Sequence, residues 1–157
     1  MRLPEYLSAA IEQWRPHAAA SPLTAASRQL TERYKNAQFT APAVRHPADR
    51  SAYLSVRFPA TFAANVQFFL SRRRAANIEV SSLLDLGAGP GTSLSAAAEI
   101  FPELRHATLL EADPQWIQFG KKLAAQSPLP AVRETHWFNG DRRDAGEFLS
   151  HNAVVIS

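Results

Sequence analysis

Leu83-Leu84-Asp85-Leu86-Gly87-Ala88-Gly89-Pro90-Gly91-Thr92 is the stretch that decides the fold. A β-type apolar run, Ser82–Leu86, feeds into glycines at alternate positions. A helical stretch from Thr92 to Phe101 leaves them and is ended by Pro102. Side chains in such a strand-to-helix turn would keep a ligand off the backbone, and some of its positions call for positive φ. The first amides of the following helix then face whatever binds there.

Outward from the turn, the second half reads as alternating strands and helices. Ala107 to Glu111 is a second strand. Asp113-Pro114 looks like an N-cap followed by proline at the first helical position, opening a helix to about Gln126. Val132 to Phe138 alternates in strand fashion, and Ala153 to Ile156 is a fourth short apolar strand. Alternation of this kind predicts an α/β fold with a partial parallel sheet of about four strands and right-handed crossovers. A doubly wound domain normally adds further strands, so the chain reads as a C-terminally truncated product or fragment.

The first half has a different composition, rich in Ala, Arg and Gln. We divide the chain into a basic helical N-terminal segment, 1–77, and the N-terminal half of a Rossmann-like domain, 78–157. Tyr6 to Trp14 carries Leu7, Ala10, Ile11 and Trp14 on one stripe. Thr24 to Lys35 is a second helix candidate, and Asn36 to Asp49 reads as a loop. Pro59 is expected to break or restart the next helix, leaving Thr61–Arg74 with Phe62, Val66, Phe69 and Leu70 facing one way.

Charge divides along the same boundary. Residues 1–77 hold 11 Lys/Arg against 4 Asp/Glu, and residues 78–157 hold 6 against 10. A basic face for a polyanion such as RNA beside a neutral ligand domain is one reading; solvated helical arginines are the other. Arg72-Arg73-Arg74 would also suit the negative end of the helix dipole. The 157 residues contain no cysteine, which excludes disulfides and Cys-ligated metal within this stretch. No apolar run is long enough to span a bilayer, and Glu5 and Glu12 interrupt what a signal peptide would keep apolar. A cytoplasmic protein is the expectation.

The glycines at 87, 89 and 91 give G-x-G-x-G rather than the dinucleotide G-x-G-x-x-G, and Asp85 stands two residues before the first. This resembles the first motif of class I methyltransferases, in which the loop lies against the methionine part of S-adenosylmethionine. Glu111 ends the second strand 20 residues after Gly91, where an acid accepts both ribose hydroxyls of a nucleoside cofactor. Asp113 is better explained as the helix cap. Asp141 follows the third strand, where methyltransferases often place an acid beside the adenine amino group; Asp144 competes with it, and a solvated loop acid is the alternative. The cofactor set is therefore Asp85, Gly87, Ala88, Gly89, Gly91, Glu111 and Asp141. His46, His106, His136 and His151 have no partners at metal-ligand or triad spacing, so no metal site is assigned. Trp14, Trp116 and Trp137 read as core. No catalytic base is assigned.

A narrower resemblance follows. Ala52-Tyr53-Leu54-Ser55-Val56-Arg57-Phe58-Pro59-Ala60-Thr61-Phe62-Ala63-Ala64 resembles the "AY-x-x-x-R-x-PAT-x-A" segment of the ribosomal small-subunit Rsm family. These are bacterial and mitochondrial methyltransferase-like proteins linked to small-subunit assembly. Ser82 to Thr92 is similar to that family's "S-LLD-x-GAGPGT", and Glu111 falls at its strand-two acid; the resemblance covers about residues 25–157. It implies a ribosome-associated protein that binds S-adenosylmethionine, with Arg57, Arg72, Arg73 and Arg74 facing ribosomal RNA or the small subunit. Many members carry a cysteine cluster for an iron–sulfur centre, and this chain has none. Two alternatives stay open: an assembly factor that binds the cofactor but transfers nothing, and a small-molecule methyltransferase with a helical lid.

Overall fold

The computed structural model describes residues 2–13 and 53–141, Gly146, and the strand at 154–156. The helix expected at Thr24–Lys35, the loop after it, and Trp14, His46, Asp144 and His151 lie outside the described residues.

Helix α1 (Glu5–Gln13) forms where the apolar spacing predicts it, burying Leu7, Ala10 and Ile11. These positions are three and four apart, so they share one face. A short π-helix, Tyr53–Arg57, leads into α2 (Phe58–Ala76). Of the break or restart expected at Pro59, the structure shows the restart: the α-helix begins at Phe58, directly after the π-helical turn, three residues before the expected Thr61. The proline sits in the first turn of α2, where its missing N–H has no intrahelical acceptor to lose. Phe58, Phe62, Val66 and Phe69 form the buried stripe, and Asn77 ends the helix in the left-handed conformation.

Four strands follow among the described residues: β1 (Ser82–Leu86), β2 (His106–Glu111), β3 (His136–Asn139) and β4 (Val154–Ile156). All pair in parallel, in the order β3-β2-β1-β4. This is the Rossmann-like α/β arrangement expected from the alternation of strands and helices. The connections carry α3 (Thr92–Ile100), α4 (Pro114–Ala125) and α5 (Pro130–Arg133). The strand expected from Val132 to Phe138 is corrected in its first half. Pro130 starts a helical turn in which the amides of Val132 and Arg133 bond Leu129 O, and Glu134 N bonds Pro130 O. Strand pairing begins only at His136.

One apolar core joins these elements. Leu7 and Ile11 of α1, Phe58, Phe62, Val66 and Phe69 of α2, Leu94 of α3, Leu109 of β2 and Phe119 and Leu123 of α4 belong to a single buried cluster. Each buried side chain of this size contributes roughly 1.5–3 kcal/mol. The sheet register places Asp85, Leu109 and Trp137 side by side across three strands. In a parallel ladder such neighbours point to the same face, so Asp85 lies on the side of the sheet where Trp137 meets α4.

Candidate functional site

The turn between β1 and α3 is anchored from the neighbouring strand. Leu110 O accepts from Gly87 N at 2.8 Å and from Ala88 N at 3.1 Å, and Gly91 N returns to Ala88 O at 2.9 Å. Gly87, Gly89 and Gly91 all have positive φ, at 76°, 55° and 79°. At Gly89 and Gly91 the reason for glycine differs. A Cβ at Gly89 would meet nothing within 4 Å, so the turn is open on that side. A Cβ at Gly91 would stand 3.4 Å from Leu109 and Trp137, so that residue is packed from below. Gly91 also opens α3, its carbonyl accepting from both the amide and the hydroxyl of Ser95 at 3.0 Å.

Glu111, at the carboxyl end of β2, reaches across to this turn. Its Oε2 accepts from Gly89 N at 2.7 Å and its Oε1 from Asp113 N at 2.8 Å. Its carbonyl is held by Gly140 N and by the Asn139 side-chain amide, each at 3.1 Å. Asp113 is the cap the sequence indicates: its Oδ1 accepts from Gln115 N at 2.8 Å. Two acids so close in sequence therefore have separate duties.

Asp85 lies beneath the turn, 3% exposed. Burial pushes its pKa up to about 7, and the nearby Glu111 carboxylate adds to the rise. Its Oδ2 is buried with no hydrogen-bond partner, and so is the hydroxyl of Thr92, the first residue of α3. A buried polar group left unmet costs about 1–3 kcal/mol. Such atoms flanking an open glycine turn mark a place where a ligand donor or water would be welcome. Thr92 adds to the residues expected from the sequence; its place at the helix start, directly after the third glycine, is the sequence signal for it.

The sheet brings Asp85, Gly87, Ala88, Gly89, Gly91 and Glu111 together at the carboxyl ends of β1 and β2. Asp141 is exposed two residues beyond β3, at the same end of the sheet. The arginines separate. Arg57 closes the π-helix before α2, whereas Arg72–Arg74 lie at the far end of that 19-residue helix. At 1.5 Å per residue the two groups are about 24 Å apart along the helix. Asn65 of α2 bonds Ser93 at the start of α3, while Arg73 bonds Ile100 O at its end. The triple arginine therefore lies at the opposite end of α3 from the turn. Arg73 is further held by Glu103 at 3.2 Å, Arg72 lies over the Phe68 ring at 5.3 Å, and Arg74 is exposed.

No group of three or more His, Asp or Glu is arranged to hold a metal among the described residues. No helix among them is long and apolar enough to cross a membrane. A cleft of about 440 Å³, lined by Phe101, Leu104, His106, Leu129 and Pro130, opens at the amino ends of the strands. Ligands of open α/β sheets bind at the carboxyl ends, so the glycine turn is the better candidate despite that cleft's volume.

The chain is similar to a solved methyltransferase, the plantazolicin methyltransferase BamL, whose crystal structure is a complex with a triazolic desmethylPZN analog and SAH. The identity is 17% and the TM-score 0.46, over 97% of this chain and 45% of that one. The chain thus spans less than half of that protein, a likeness too loose to bear on the site. No curated protein is significantly similar to it. Residues 47–157 match the family described as "Mitochondrial small ribosomal subunit Rsm22". That match takes in the π-helix, the glycine turn and all four strands, and the chain belongs to this family.

Proposed function

We propose that the chain binds S-adenosylmethionine at the Asp85–Gly91 turn and acts with the small ribosomal subunit or its RNA. The observation that carries the first part is the bond between Glu111 and Gly89. It puts a carboxylate able to accept ribose hydroxyls directly beside an open glycine backbone. The residues present fit the cofactor. Glu111 would take the ribose, and Gly87, Ala88, Gly89 and Gly91 would line the methionine portion. The unmet Asp85 and Thr92 oxygens would receive its donors, and Asp141 would stand near the adenine. When bound, the cofactor supplies an electrophilic methyl group. The chain's own residues hold and orient it, which is how positioning lowers such barriers.

The ribosomal part rests on the family and on the basic first half of the sequence. The family's description as a ribosomal subunit also favours a second reading, in which the chain binds the cofactor and transfers nothing. Isothermal titration with S-adenosylmethionine, its demethylated product and NAD tests the site. Binding of the first two and not NAD is expected; binding of NAD alone would overturn the assignment. Transfer of labelled methyl from the cofactor to small-subunit RNA separates the enzyme from the assembly factor.

A further inference from the structure

Gly120 sits inside α4, where glycine costs about 1 kcal/mol against alanine, so its presence asks for a packing reason. The reason is Trp137. A Cβ at Gly120 would stand 2.3 Å from Cη2 and 2.6 Å from Cζ2 of the Trp137 indole. Those same two atoms would stand 3.4 Å from a Cβ at Gly91. The benzo edge of the indole is thus inserted between a helix that has been hollowed to admit it and the last glycine of the turn. Leu109, in register with Trp137 and fully buried, completes the support under Gly91.

We propose that Trp137 is the positioning residue of the glycine turn, with Gly120 the seat that lets its indole reach Gly91. This rests on the cofactor assignment only for the ligand used to read it out. Carbon atoms in contact need about 3.5–4.0 Å, so a methyl group at position 120 must drive the indole more than about 1 Å from its present place. The turn lies on the other side of that ring and must follow, or lose its support.

The experiment compares Gly120→Ala, Trp137→Leu and the double variant in the full chain, with Val132→Ala as a buried control remote from the turn. Two readouts are taken: affinity for the demethylated cofactor product, and hydrogen exchange of the Gly91 amide without ligand. Gly120→Ala is expected to weaken binding about tenfold or more and to speed exchange at Gly91. In the Trp137→Leu background, adding Gly120→Ala is expected to change neither readout by more than about twofold, because the clash is gone. Val132→Ala should lower Tm while leaving both readouts unchanged. Additive effects of the two substitutions, or wild-type exchange at Gly91 in Gly120→Ala, would overturn the proposal. A wild-type chain that binds no cofactor would overturn the cofactor assignment instead, and the exchange measurement would still decide the role of Trp137.

Discussion

The Gly89 amide and the Glu111 carboxylate, 22 residues apart in sequence, meet in a 2.7 Å hydrogen bond across the end of the sheet. The second oxygen of the same carboxylate takes the Asp113 amide at the entrance to α4. One side chain therefore ties the starts of two helices to one strand end. It also means that a ribose arriving at Glu111 must share or replace bonds that the protein already makes.

Glu111→Ala should accordingly affect both stability and binding. Hydrogen bonds to an ionised group contribute about 1.5–3 kcal/mol, which in a chain of this size corresponds to a fall in Tm of roughly 5 °C. Binding of S-adenosylmethionine should be lost. Glu111→Gln keeps one accepting oxygen but presents an NH₂ to the other amide, so it should fall between the two. Calorimetric melting and titration check both; an alanine variant with wild-type affinity would remove Glu111 from the site.

Gly89→Arg is expected to separate folding from binding. The side chain would project into open space, so it meets no packing obstacle. The left-handed backbone at φ 55° still costs about 1–2 kcal/mol for a residue with a Cβ. The variant should fold with a modestly lower Tm and fail to bind, because the arginine fills the path to the turn. Gly91→Ala should reverse the emphasis, since its Cβ presses on Leu109 and Trp137 at 3.4 Å. Equal affinity in wild type and Gly89→Arg would show that no ligand uses the open side.

Asp85 should make stability depend on pH in a direction opposite to most carboxylates. Its native pKa of about 7 stands above the ordinary 3.8, so between those values the folded state keeps a proton that the unfolded state releases. The stabilisation is complete below pH ~4 and is lost as pH rises to ~7, amounting to a few kcal/mol. Above pH ~7 both states are ionised and the contribution is flat. Asp85→Asn has no proton to lose, so melting temperatures of the variant should gain on wild type between pH 4.5 and pH 8. A parallel pH profile for the two proteins would refute this reading of the buried carboxyl.

How much of this was legible beforehand depends on how local the determining interactions are. The strand, turn and helix around Gly87–Gly91 could be read because apolar run, glycine spacing and helix start all lie within twenty residues. Asp113 could be read as a cap for the same reason. The alternation from Val132 to Phe138 suggested a strand along its whole length, yet Pro130 fixes a helical turn first, and Val132 is buried from that turn. Pro59 was legible as the place where a helix restarts, but the π-helical turn that leads into it was not. The Glu111–Gly89 bond follows from sheet register, and the Trp137–Gly120 contact from how α4 lies on β3. Neither leaves a trace in sequence except a glycine at an unexpected place in a helix.

The arginines at the end of α2 give a final prediction, because the structure does not treat them alike. Arg73 donates to Ile100 O and Glu103 and lies over Phe101, with ring centroid 6.0 Å away. Its guanidinium is committed to the protein, and Arg73→Ala should lower Tm by a few degrees through lost packing as well as lost charge. Arg74 is exposed, and Arg72 is exposed too, lying over an exposed Phe68 on its own helix. If this end of α2 meets RNA phosphates, Arg72→Ala and Arg74→Ala should each leave Tm nearly unchanged. Each should also lower the slope of log affinity against log salt by about one contact's worth, slightly under one. Binding of a small-subunit RNA fragment, measured across a salt series, reads this directly. Salt slopes identical to wild type in both variants would move the RNA face elsewhere and leave Arg73 as the only one of the three with an assigned duty.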